Sequence, residues 1–150
     1  METVSDFEDM LNLLNHHEVK YLIVGGLAFI YHARPRFTKD IDLWIEGSRE
    51  NIRRANHALA DFGSPTLMGY DEPDQVVQLG LAPNRIDLLV EVGPVSFDEA
   101  WPRRIEDRYG EVTAHWIDLD SLERIKSAID DPRHQEDARV LREVKKRGKV

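Results

Sequence analysis

The chain contains no cysteine. That absence excludes disulfides, thiolate metal sites and cysteine nucleophiles, and it fits a cytoplasmic address. Long hydrophobic runs are missing too: nothing approaches the roughly 20 apolar residues that span a bilayer. The start "METVSDFEDM" is acidic and amphipathic, so it does not read as a secretory signal. Positive charge is scarce, with 20 Lys and Arg against 28 Asp and Glu and a net charge of −8, the wrong balance for a broad nucleic-acid footprint. Common catalytic signatures are absent as well. No Gly-Lys-Ser/Thr follows the glycines to make a P-loop, the six histidines show neither H-E-x-x-H nor H-x-H spacing, and no serine sits in G-x-S-x-G.

What is present is the composition of a globular chain: 150 residues, 41% hydrophobic and 32% charged, enough to bury a core without staples. No composition break, repeat or low-complexity segment divides it. One domain over 1–150 is therefore expected, with a core over 1–117 and C-terminal helices over 118–150. One local excess of positive charge stands out, the tail with Arg139, Arg142, Lys145, Lys146, Arg147 and Lys149 against Glu143. It suits an anionic partner or, more simply, the solvated face of a terminal helix.

Periodicity orders the elements. Ser5 with Glu8 makes a capping-box pattern ahead of Phe7, Met10, Leu11 and Leu14, predicting a helix over about 5–17. "KYLIVGG" is a short apolar strand ending in two glycines, then a helix over about 27–32 stopped by Pro35. "FTKDIDLWIE" alternates as a strand. Ser48 caps a helix whose buried stripe is Ile52, Ala55, Leu59 and Phe62, and the turn-rich segment 63–75 follows. "VVQLGL" and "RIDLLVEV", joined by "APN", read as a hairpin, and "RIEDRYGEVTAHWI" as a second one turning near Gly110. Asp120 with Glu123 starts one further helix, and Asp131 followed by Pro132 starts the last. The sum is an α+β fold: a small mixed sheet with flanking helices and a C-terminal helical pair.

Two acids are out of place in this pattern. Within "DIDLWI", Asp40 and Asp42 share one strand face while Ile41, Leu43 and Ile45 fill the other. Carboxylates two residues apart on a strand repel unless they face solvent at a sheet edge or a cation lies between them. In "RIDLLVEV", Asp87 lies opposite the aliphatic face of Ile86, Leu88, Val90 and Val92. If the two strands pair, the three acids converge as oxygen donors suited to a hard divalent cation. Gly25 and Gly26 sit where a strand passes into a helix, a place where backbone N–H groups meet a phosphate or where the chain merely turns tightly. Arg36 and Thr38 share strand parity with Asp40 and continue its face toward such an anion, or else they only offset the acids. Packing accounts for Trp116, and for Trp44 better than a ligand pocket does, although Trp44 shares parity with the acids. Among the histidines only His32, at the end of the helix after the glycines, lies near these groups.

A hydrophobic strand, Gly-Gly, a helix, then R-x-T-x-D-I-D-L and a later strand-borne Asp resembles the DNA polymerase β-like nucleotidyltransferase superfamily. More narrowly it resembles the stand-alone bacterial members related to the toxin of AbiE-type toxin–antitoxin and phage-defence systems. The pattern covers Leu22 to Leu43 and Arg85 to Val90, and "LERIKSAIDDPRHQEDARVL" is similar to that group's ending. The resemblance implies the nucleotidyltransferase fold and transfer of a nucleoside monophosphate from an NTP to an acceptor hydroxyl on RNA, protein or a small molecule such as an antibiotic. It further implies Mg²⁺ or Mn²⁺ on Asp40, Asp42 and Asp87, with Asp87 also helping to activate the hydroxyl. Gly25, Gly26, Arg36, Thr38 and Lys126 would hold the nucleotide, Asp137 matches the C-terminal pattern, and a cognate antitoxin or other partner protein would be expected. Many relatives carry Gly-Ser where this chain has Gly26-Leu27, so backbone donors would serve alone. A non-catalytic binding module on the same fold is the alternative, and no membrane partner is expected.

Overall fold

In the computed structural model, which describes residues 1–80 and 84–148, the order of elements follows the predicted order closely. Helix α1 (Ser5–His16) buries Phe7, Met10, Leu11 and Leu14, the stripe set by their spacing. Strand β1 (Tyr21–Val24) runs directly into α2 (Gly25–His32), and β2 (Asp40–Ile45) leads to α3 (Arg49–Phe62). Then come β3 (Val76–Leu79), β4 (Arg85–Leu89), the short α4 (Phe97–Ala100) with one 3₁₀ turn after it, the hairpin β5 (Ile105–Tyr109) and β6 (Val112–Trp116), and the pair α5 (Leu119–Ser127) and α6 (Pro132–Arg147). The strands form one six-stranded mixed sheet in the order β3-β4-β2-β1-β6-β5. No helix among the described residues is long and apolar enough to cross a membrane.

Alternation along the strands divides the core in two. Ile23, Ile41, Leu43, Ile45, Ile86 and Leu88 pack with the buried stripes of α1 and α3. Leu22, Val24 and Trp44 point the other way and pack with Phe29, Phe97, Leu122, Ile125 and Leu141. Asp40 and Asp42 share parity with Trp44, so they belong to the face covered by α2, α5 and α6. Strands β2 and β4 are parallel neighbours with Asp40 opposite Arg85 and Asp42 opposite Asp87. Parallel pairing follows from the long connection through α3, since a tight turn joins only antiparallel strands.

Several details differ from expectation. Ser5 is the first helical residue, Val4 takes the cap position without a side-chain bond, and the Val4 N–H donates to the Tyr109 hydroxyl at 2.8 Å instead. The Ser5/Glu8 box therefore does not form. The strand expected over 37–46 begins only at Asp40, because Pro35 and the segment after it run as an irregular loop. Helix α5 is capped by Asp118, whose carboxylate accepts from Ser121 N–H, and Asp120 lies inside the first turn. The caps Ser48 and Asp131 are as expected, and Pro132 opens α6. The Ala82 and Pro83 of the "APN" turn lie outside the described residues, as does Lys149 of the basic tail.

Candidate active site

The register of β2 against β4 sets Asp42 beside Asp87, and β1 sets Val24 opposite Asp42 on its other side. The chain then turns into α2 at Gly25, with φ of +68°. A side chain there is excluded twice. The backbone lies in the left-handed region, and a Cβ would stand 2.1 Å from Asp42 Oδ2. Gly25 is thus required by its approach to the carboxylate, a reason that the sequence alone did not supply. Gly26 carries the contact to the loop: its Cβ position lies 3.1 Å from Thr38 Oγ1 and 3.7 Å from Arg36 Nη2. Arg36 and Thr38 reach Gly26 from an irregular loop, not along the face of a strand as their parity suggested, because the strand starts two residues later at Asp40.

The three acids are short of positive charge. Burial, then the charges of Asp87 and Asp40, push the Asp42 carboxyl up to about 6, with Arg85 opposing the shift. Among the described residues, Arg85 is the one cation ion-paired with the trio. Its Nε donates to Asp87 Oδ1 at 2.8 Å and its Nη2 to Asp87 Oδ2 at 3.0 Å. The same Nη2 reaches Asp40 Oδ2 at 3.3 Å. Among the described residues no group of three or more histidine, cysteine, aspartate or glutamate side chains is arranged to hold a metal ion as it stands. The donor chemistry nevertheless fits a hard cation: three carboxylates on adjacent strands, with a guanidinium already drawn in between two of them.

A second cluster lies behind α2 and has the opposite shortage. Asp137 of α6 accepts from Arg36 Nη1 at 2.7 Å and from Lys126 Nζ at 3.0 Å. Lys126 and Asp137 are both buried. Burial works to raise the Asp137 pKa, but its bonds to Arg36 and Lys126 prevail and hold it below the usual carboxylate range. Arg36 also lies over the Phe29 ring, 4.2 Å from its centroid. Lys126 further contacts His134 Nδ1 at 3.2 Å, and burial followed by the Lys126 charge lowers the His134 pKa.

The clusters meet at a cavity of about 200 Å³ lined by Gly25, Asp42, Lys126 and His134, with aliphatic walls that include Val24 and Leu89. The structure therefore brings Asp40, Asp42, Asp87 and Gly25 together, sets Lys126 across the cavity from Asp42, and gathers Arg36 and Thr38 over Gly26. Trp44 stays out of the cavity: it is buried, donating Nε1–H to the Val90 carbonyl at 2.9 Å and packing edge-on to Phe97. His32 serves the scaffold, with Nε2 bonded to the Ile117 carbonyl at 2.6 Å. Most of the described basic residues of the tail have acidic partners: Arg139 pairs with Glu136, Arg142 faces Glu123, Lys145 pairs with Asp120 and Lys146 with Glu143. Arg85 and His134 were not singled out from sequence. Arg85 was legible, because it shares strand parity with Asp87 two residues on, whereas His134 depends on how α6 packs on α5.

No protein-family model matches the sequence, and no curated protein matches it. Solved structures do, and they define the class of fold: the mixed sheet with its flanking helices is a nucleotidyltransferase fold. Lincosamide antibiotic adenylyltransferase LnuA, solved with lincomycin bound, is similar with a TM-score of 0.64 and 16% identity, over 95% of this chain and 98% of its own. The antibiotic-resistance factor ANT(2'')-Ia is similar with a TM-score of 0.62 and 15% identity, over 91% of this chain and 80% of its own. Its complex with adenylyl-2''-tobramycin gives 0.60 and 15% identity, over 91% and 86%. At such identities the likeness is one of fold, and none of these three is an AbiE-type protein by name.

Proposed function

We propose that this protein is a metal-dependent nucleotidyltransferase that moves a nucleoside monophosphate from an NTP onto a hydroxyl of a small molecule and releases pyrophosphate. The observation that carries the reading is the register of Asp42 against Asp87 with Gly25 closed down on Asp42. Asp42 of the acid-rich trio and Lys126 of the cation-rich cluster line one cavity, so a metal–nucleotide complex there would meet both signs of charge. Asp40, Asp42 and Asp87 would hold Mg²⁺ or Mn²⁺, which when bound neutralises phosphate charge and aligns the attacking and leaving oxygens. The N–H groups of Gly25 and Gly26 at the start of α2 offer themselves to phosphate oxygens. Arg36 and Lys126, held in place by Asp137, supply the positive charge around the phosphates, and Thr38 adds a hydroxyl above Gly26. Asp87 takes the proton of the acceptor hydroxyl as its oxygen bonds to the α-phosphorus and pyrophosphate departs. Residues 1–117 form the catalytic core in this reading, and the helices from residue 118 onward close the cavity.

The acceptor is assigned to small molecules on charge. RNA binding draws its free energy from phosphate neutralisation, and with a net charge of −8 and four of the tail's cations already set against carboxylates the chain presents little to neutralise with. LnuA and ANT(2'')-Ia, antibiotic-directed by name, favour the same class. The cellular NTP pool puts such an enzyme in the cytoplasm. The test is label transfer: the protein, Mg²⁺ and each α-labelled NTP, with aminoglycosides, lincosamides, total RNA and lysate as acceptors. Label should move to a small hydroxyl compound, and Asp42→Asn should abolish the transfer. Label on RNA or protein would instead carry the toxin–antitoxin reading that the AbiE-type resemblance implies. Failure of any NTP to bind with Mg²⁺ or Mn²⁺ in calorimetry would leave a non-catalytic partner module.

A further inference from the structure

We infer that Arg85 is a displaceable internal counter-ion, closing Asp40 and Asp87 to free divalent cations until a nucleotide arrives. The inference rests on the proposed metal-dependent reading and concerns how that site is loaded. Its basis is position. Arg85 stands opposite Asp40 in the β2–β4 register and two residues before Asp87 on the same strand face. Its guanidinium occupies both oxygens of Asp87 and one of Asp40. Those oxygens are the donors that a cation between the strands would use. A guanidinium fork matches a carboxylate in two parallel bonds, so a metal ion entering alone must break both and leave the arginine without a partner.

A metal ion carried on a phosphate chain meets a different balance. The fork that leaves Asp87 can take phosphate oxygens instead, with the same planar two-bond geometry. The Arg85 side chain is 37% exposed, against 10% for Asp87, so the arginine is the partner free to move while the carboxylate stays anchored in its strand. Nucleotide and metal then favour each other through Arg85, and linkage requires the effect to be equal in both directions. Asp87 and Asp40 thus remain covered when the site is empty, with Asp42 left over, and the free protein avoids scavenging divalent cations that carry no substrate.

Mn²⁺ titrations of the free protein, read by calorimetry and by the loss of the free-ion paramagnetic resonance signal, test this without any turnover. Arg85→Gln keeps a hydrogen bond donor for Asp87 while removing the charge, and circular dichroism checks that it folds. We expect Arg85→Gln to bind Mn²⁺ alone at least ten-fold more tightly than the wild type. A non-hydrolysable ATP analogue should tighten Mn²⁺ binding to the wild type by a similar factor and to Arg85→Gln by much less. Equal or weaker Mn²⁺ binding by Arg85→Gln overturns the role of Arg85 and leaves the metal reading standing. No Mn²⁺ binding by either protein, with or without the analogue, overturns both. If Arg85→Gln fails to fold, Arg85→Met serves: it keeps the apolar stem but removes both charge and fork, and Mn²⁺ binding no tighter than wild type would sink the proposal.

Discussion

Two charged clusters meet at one cavity through Asp42 and Lys126 and are built in opposite senses. In one, three carboxylates share Arg85, and the Asp42 carboxyl is driven up to about 6. In the other, Arg36 and Lys126 share Asp137, whose carboxyl is held below the usual range. The first is uneasy without a further cation, and the second is stable as it stands because its one acid is fully engaged. The difference teaches where stability and function part company. A cluster whose one acid is fully engaged supports the fold and holds its cations in place, while one whose acids outnumber its cation has kept something in reserve for a metal ion.

The sharpest way to break the contrast is to remove the acid of the satisfied cluster. Asp137→Ala leaves Lys126 buried without its carboxylate, and stripping one partner from a buried pair costs about 3–5 kcal/mol. Denaturant unfolding should show a loss in that range, with Arg36 released from α6 as well. The same operation on the unsatisfied cluster should have the opposite sign. Because the folded pKa of Asp42 lies above its ordinary value of 3.8, the native state binds more protons than the unfolded chain between about pH 4 and 6, and stability falls as pH rises through that window. The penalty is absent at lower pH and complete above the folded pKa. Asp42→Asn should therefore unfold at higher denaturant than the wild type at pH 7, by at most about 3 kcal/mol, and the two proteins should converge as the pH approaches 4.

A third substitution tests the wall between the clusters. Gly25→Ala places a Cβ against Asp42 at positive φ, which costs about 2 kcal/mol in backbone strain alone. Calorimetric melting should show that loss, and NTP binding should weaken with it because the carboxylate must move. The smallest effect belongs to the tail. Arg139→Ala removes an exposed pair with Glu136 and should leave the denaturation midpoint indistinguishable from that of the wild type. It should leave NTP binding unchanged, and a loss of NTP affinity there would mean that the anion-hungry region extends beyond the cavity.

The parts of this structure that were legible in advance are those governed by short-range rules. Alternation put Asp40 and Asp42 on one face and Asp87 on the polar face of its own strand, and the Ser48 and Asp131 caps followed from local hydrogen bonding. The fold class was readable from the order of periodic segments. What escaped depended on partners far along the chain. Tyr109 holds the Val4 N–H and removes the need for the Ser5 box, and Asp137 draws Arg36 to α6 from 101 residues away. Arg85 was overlooked for another reason: a basic residue beside an acid reads as ordinary compensation until the register shows a second acid, Asp40, within its reach.

The parallel pairing of β2 with β4 makes the site unusually intolerant of one kind of change. Substitutions at Asp42 or Asp87 remove a single group, yet inserting or deleting one residue within β4 would turn Asp87 into the core and bring Ile86 or Leu88 out in its place. Every donor on that strand would be lost together, and the apolar face would be spoiled in the same step. The long stretch from Phe62 to Val76 between α3 and β3 has no such phase to keep. Length variation among related chains should therefore collect there, and a reading frame of two residues should be preserved through β2 and β4.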